Sequence, residues 1–260
     1  MIAEVSSRPV RVAAPFWVVL ALIGGLAWLV AANEARDMGA GPGTMGMSFP
    51  FFLGMWVAMM AAMMLPAIGP QAAGGWIADS RAARAAGRLP GVLAFGAGFL
   101  LPWAAYGALA FLAFSGVDSL VESSPEAARW LGVGIVGVAG LYQFTPAKRR
   151  ALDHCRMALH ASGVGPLAGD LRAGAVDGAV CVGCCWALMA TLISVGVMNL
   201  AAMVGLAAVI FAEKVLPRPR LVAGIAGAAL LVLALAAAID PSLLAGVDVD
   251  ETPMPMRMSG

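Results

Sequence analysis

The chain has 260 residues, of which 61% are hydrophobic and only 12% charged, with a formal net charge of +1. An average soluble domain carries about 25% charged residues, so this composition excludes an ordinary soluble fold and points to a polytopic membrane protein. It leaves no room for a sizeable extramembrane domain, and the near-neutral balance offers no electrostatic argument for a nucleic-acid partner.

Apolar segments near the ~20 residues needed to cross ~30 Å of hydrocarbon are predicted at 14–33, 49–72, 90–115, 127–146, 176–195, 197–213 and 220–239. The expected fold is therefore all-α, a transmembrane bundle of about seven spans. The first apolar run begins behind Arg8 and Arg11 and exceeds the ~7–15 residues of a signal-peptide core. It is read as a retained span.

The second segment contains MWVAMMAAMMLP. Met55, Met59 and Met63 stand one turn apart on one stripe, with Met60 and Met64 on a neighbouring stripe. A thioether is an uncharged soft ligand that can hold Cu(I) in a membrane without burying a charge; methionine is also a flexible filler of helix interfaces. Pro66, Pro70 and, in the third segment, Pro102 are expected to bend their helices. Small residues recur in the fourth segment, at Gly132, Gly134, Gly137 and Gly140, and in the seventh, at Gly224 and Ala228. They allow close helix approach.

A basic connection follows the fourth segment, read as a loop, in which His154 and Cys155 are adjacent. Imidazole and thiolate suit Cu and Zn, so the pair can serve one site, and a solvated loop is the competing reading. His160 carries less weight. The fifth segment opens with Cys181, Cys184 and Cys185, three of the four cysteines in the chain, and Met189 continues their line one turn on. Steps of three and four residues place these side chains on one side of a helix. Thiolates and thioethers together favour Cu(I) and other thiophilic ions. Simple packing is one alternative; a redox dithiol made by Cys181 and Cys184 at the start of a helix is another.

Counting rise along each helix puts Met64 about 21 Å below the outer surface and Cys184 about 12 Å above the inner boundary, so thiols and thioethers reach similar depth on two segments. Keeping 176–195 and 197–213 as separate spans requires a break at Gly196-Val197-Met198-Asn199, where glycine permits a reversal and Asn199 can bond freed backbone groups. A re-entrant hairpin is the alternative. Glu213 and Lys214 close the sixth segment, read as an interfacial anchor with a snorkelling lysine or, for Glu213, as a partner inside the bundle. Assigning alternate connections to one side collects Arg8, Arg11, Arg81, Arg84, Arg88, Lys148, Arg149, Arg150, Arg156, Arg172, Lys214, Arg218 and Arg220 together. That asymmetry predicts a cytoplasmic amino terminus. Outside, Met45 and Met47 precede the second segment, and Met254, Met256 and Met258 lie in a tail expected to be disordered.

Three separated motifs, MWVAMMAAMMLPAIGP, YQFTPAKRRALDHC and CVGCCWALMATLISVGVMNLAAMVGLAAVIFAEK, resemble a bacterial domain-of-unknown-function family of predicted metal-binding integral membrane proteins over approximately residues 49–217. The resemblance implies membrane location and a metal site at His154, Cys155, Cys181, Cys184 and Cys185, with Met59, Met60, Met63 and Met64 in the family's methionine motif. It divides the chain into an amino-terminal span and connection at 1–48, a core at 49–217, and a last span with a short external tail at 218–260.

The expected function is binding of a soft metal ion, Cu(I) first and zinc second, for transport, delivery or homeostasis in the bacterial inner membrane. The partners are the lipid bilayer and a metal donor or acceptor protein. The chain contains no Walker-type phosphate loop. A membrane thiol oxidoreductase or metal-dependent enzyme is the alternative, and a non-catalytic assembly subunit is the third reading.

Overall fold

A computed structural model describes residues 44, 46–78, 89–157, 167–197, 199–244 and 247, with scattered positions between 22 and 33. The predicted first span, the arginines at 81, 84 and 88, His160, Met45 and the methionines of the tail lie largely or wholly outside the described residues. The described chain is all helical: α1 (Phe49–Ala78), α2 (Leu89–Ser123), α3 (Pro125–Tyr142), α4 (Pro146–Met157), α5 (Leu167–Val195), α6 (Leu200–Val215) and α7 (Pro219–Ile239), followed by a short 3-10 turn at Pro241–Leu243.

Proline opens α3, α4 and α7, where its missing N–H is one the first turn leaves unpaired in any case. The break between α5 and α6 falls within the predicted four residues. Gly196 adopts φ 91°, in the left-handed region, and Asn199 caps α6 by accepting from the Ala202 N–H at 3.0 Å. Its amide also donates to the Val195 carbonyl at 3.2 Å, closing the end of α5.

Among the described residues, four helices are long and apolar enough to cross a membrane: Phe49–Ile68, Leu93–Ser123, Leu167–Val195 and Pro219–Ile239. The helices of the other described segments, α3 and α6, fall short of that measure of length and apolar character. Helix α6 has 16 residues, about 24 Å at the α-helical rise, and α3 has 18 residues with Glu126 in its first turn. The fifth segment begins at Leu167 instead of near 176, because Asp170, Arg172 and Asp177 sit within one continuous helix.

The basic connection after the fourth segment is not a loop but α4. Lys148, Leu152 and Cys155 are all buried, and their i, i+4, i+7 spacing makes them one face of that helix. A lysine at the first of those positions disguises the face in the sequence.

Close crossings set the rest. A Cβ at Gly98 would strike the Leu171 backbone, one at Gly174 the Phe95 backbone and one at Gly178 the Phe99 backbone, so α2 and α5 meet with almost no side chain between them. A Cβ at Gly227 would crowd Phe144, Gln143 and the Gly140 carbonyl, which locks α3 and its exit turn onto α7. The Trp56 indole lies against Gly107 and donates to the Trp103 carbonyl at 3.1 Å, fastening α1 to α2. Helix α4 packs on α5 and α6, and α6 also packs on α1 and α5, so these four helices meet in the core.

Candidate metal centre

On α5, the run Cys181-Val182-Gly183-Cys184-Cys185 turns three thiols to the interior, and all three are buried. Side chains from other helices hold this stretch by its carbonyls. The Tyr142 hydroxyl donates to Gly183 O at 2.7 Å, the Lys148 ammonium to Cys184 O at 2.7 Å and the Tyr106 hydroxyl to Trp186 O at 3.0 Å. Three donors from three elements thus fix the rotation of α5 where its cysteines emerge.

Cys155 comes in from α4. The ligand atoms of Cys155, Cys181 and Cys184 all lie within 4.8 Å of one another, and all three residues are buried. The Cys184 Sγ lies 3.2 Å from Cys185 Sγ and donates to the Cys181 carbonyl at 3.2 Å. All four cysteines are free thiols.

Met64 of α1 places its Sδ 4.0 Å from Cys181 Sγ, so thiol and thioether from two helices meet. Met59, Met60 and Met63 are buried farther along α1, and Met189 is buried one turn beyond Cys185. His154 is not brought to the cluster. It is exposed on the outer side of α4, and its Nδ1 lies 2.8 Å from the Arg150 carbonyl. The adjacent His154-Cys155 pair is split because consecutive residues on a helix point about 100° apart.

Of the charges beside the sulfurs, the sequence singles out Glu213, with pairing inside the bundle as one of its two readings, and Lys214, but gives Lys148 no place at the site. Lys148 is 0% exposed, Glu213 0% and Lys214 2%, so neither lysine snorkels to a surface. The Lys148 Nζ donates to Glu213 Oε2 at 2.7 Å, and the Lys214 Nζ donates to Cys181 Sγ at 2.9 Å. Glu213 Oε1 is buried without a hydrogen-bond partner among the described residues. Removing an ion from water costs several kcal/mol even after relaxation, so such a group is retained where it meets opposite charge.

Burial alone would lower the Lys148 pKa, but negative charge on Cys185, Glu213 and Cys184 carries it above the ordinary value. The Cys155 thiol is held well below its ordinary range, first by hydrogen bonds from Cys181 and Cys184; burial opposes this and the Lys214 ammonium assists it. The only sequence signals for this network were an acid-base pair closing an apolar helix and a lysine in register with Leu152 and Cys155.

A family model described as copper chaperone, PpoB2, matches residues 53–237. The chain belongs to this copper chaperone family. Neither the curated proteins nor the solved structures contain a match. The copper chaperone match spans all four cysteines, the methionine run of α1, and Lys148, Glu213 and Lys214, so the cluster and its charged neighbours lie inside the family region. It agrees with the metal-binding family that the three motifs resemble.

Proposed function

We propose that this protein is a multi-pass protein of the bacterial inner membrane that carries Cu(I) as cargo on Cys155, Cys181 and Cys184, taking it from one partner protein and giving it to another. The observation that carries this reading is the meeting of three buried sulfurs from two helices within 4.8 Å, in a chain of the copper chaperone family. A set of three sulfurs suits Cu(I), whereas structural zinc takes four ligands in a tetrahedron. Zinc would have to recruit Cys185, and it remains the alternative cargo.

In this reading Met64 is the entry ligand, because its thioether already touches Cys181. Met59, Met60 and Met63 pass the ion along α1 toward it, and Met189 and Cys185 form the wall behind the cluster. His154, exposed above Cys155, meets the ion only during exchange with a partner. All these residues lie within 49–217, the proposed core, with 1–48 and 218–260 flanking it. The asymmetry of basic residues between alternate connections of the sequence supports a cytoplasmic amino terminus.

The test is elemental analysis and Cu(I) titration, against a competing chelator under reducing conditions, of detergent-purified protein. A Cys155→Ser, Cys181→Ser, Cys184→Ser variant of matched helicity is run beside it. One Cu(I) per chain, lost in the variant, is the expected result. Wild-type protein that takes up no Cu(I) would sink the proposal. Retention of zinc in preference to copper would replace the cargo.

A further inference from the structure

We infer that the hollow where α4 meets the start of α7 binds the phosphodiester of an anionic phospholipid drawn from the leaflet that borders it. The inference rests on the membrane placement proposed above and does not depend on the metal.

The hollow has a volume of about 570 Å³, and its lining includes Asp153 and Arg156 of α4 and Arg218, Arg220 and Leu221 around the start of α7. Among the described residues that line it, three guanidinium groups face one carboxylate, which leaves a net positive charge. Arginine stays charged, and its planar fork of N–H groups fits two phosphate oxygens at once. One terminal nitrogen of Arg156 donates to the Glu213 and Leu216 carbonyls, both at 2.9 Å, and so anchors that guanidinium at the rim. Arg220 reaches Asp153 at 3.3 Å, with the two side chains 68% and 42% exposed. An exposed ion pair of this kind is weak, so Arg220 can turn to a phosphate at little loss.

A lipid is favoured over a free anion by the surface that continues from the hollow. Leu221 lines it and is exposed, and Ile225, Val232, Leu235 and Ile239 are exposed beyond it. Their helical spacing puts them on one face of α7, which is long and apolar enough to cross a membrane. An apolar stripe thus runs down to a cationic hollow at the first turn of the helix. A phospholipid can lay its acyl chains on the stripe and its phosphate among the arginines, as basic pockets at the ends of spanning helices take anionic head groups. The net positive charge repels the ammonium of a zwitterionic head group. A phosphate held between Arg156 and Arg218 joins α4, which carries Cys155, to α7.

The experiment uses the full chain in mixed micelles of detergent with phosphatidylglycerol or phosphatidylcholine, and native mass spectrometry reads the lipid retained. Wild type is expected to hold phosphatidylglycerol at least about tenfold more tightly than phosphatidylcholine, and excess inorganic phosphate should not displace it. Arg218→Gln combined with Arg220→Gln should reduce the preference to about threefold or less. Arg149→Gln combined with Arg150→Gln removes two exposed charges of α4 that do not line the hollow and should leave the preference within about twofold of wild type. Arg156 is kept, since it also holds the end of α6.

Equal retention of the two lipids by wild type would overturn the inference. So would a preference that survives in the Arg218→Gln, Arg220→Gln variant, or one that falls as far in the Arg149→Gln, Arg150→Gln variant. Displacement by inorganic phosphate would make the hollow a site for a free anion, and displacement by polyglutamate would assign it to an acidic protein; either result overturns the lipid. All these outcomes leave the membrane placement intact. A folded chain that stays monodisperse without detergent would defeat that placement instead.

Discussion

Cys155 and His154 are neighbours in sequence that can both ligate Cu and Zn, yet helix geometry gives them opposite surroundings. Cys155 faces Cys181 and Cys184, while His154 is exposed against the Arg150 carbonyl. Exchanging the Cys155 sulfur for oxygen removes a soft donor from a cluster of three, so Cys155→Ser is expected to weaken Cu(I) binding at least about tenfold, the scale on which even outer-shell partners of a metal act. His154→Ala should leave equilibrium affinity unchanged. Chelator competition on the two variants checks both, and a histidine variant as weak as the cysteine variant would put the imidazole in the site. Lys148 shows why such contrasts are hard to read from a chain. A lysine is almost never fully buried unless it is paired, and its partners, Glu213 Oε2 and the Cys184 carbonyl, are 65 and 36 residues away in sequence.

At the scale of elements, stability rests on close crossings more than on amphipathic stripes. Gly174 and Gly178 of α5 lie on the backbone of α2 at Phe95 and Phe99, and backbone atoms cannot step aside as a flexible side chain can. Gly174→Leu is therefore expected to push α5 away from α2, at the upper end of the ~1–3 kcal/mol that overpacking costs. Thermal unfolding in detergent should show a lower midpoint. Gly134→Ala, where an added Cβ meets nothing within 4 Å, is the control that should not lower it, since alanine favours a helix interior over glycine by up to about 1 kcal/mol.

The apolar helices and the reversal at Gly196–Asn199 were legible in the sequence, because length, apolar character and turn chemistry are local properties. The start of α5 was not, since Asp170 and Arg172 read as loop although both lie in the helix. Helix α4 was hidden for the same kind of reason, its buried face containing Lys148. The cysteine cluster was half legible. Helical spacing groups Cys181, Cys184 and Cys185, but Cys155 joins them only through the packing of α4 on α5.

Across the whole molecule, the sulfur cluster lies where separate parts of the chain converge. Cys155 belongs to α4, Cys181 and Cys184 to α5, Met64 to α1, and the lysine on Cys181 to α6. An ion bound there joins elements that are otherwise held by packing and a few long-range hydrogen bonds, such as Arg156 to the Glu213 and Leu216 carbonyls, both at 2.9 Å. The assembled cluster exists only in the folded chain, so Cu(I) that binds it in preference to the unfolded state must stabilise the fold by mass action, by about 2.7 kcal/mol at a free concentration one hundred times the dissociation constant. Loading under reducing conditions is therefore expected to raise the unfolding midpoint in a concentration-dependent way. The gain should disappear in Cys181→Ser and persist in His154→Ala. Because α4 is short and brings only Cys155 to the cluster, the largest local gain in hydrogen-exchange protection should fall on residues 146–157. An equal gain in every helix would mean that the ion stabilises the bundle as a unit, and no gain in α4 would separate Cys155 from the metal.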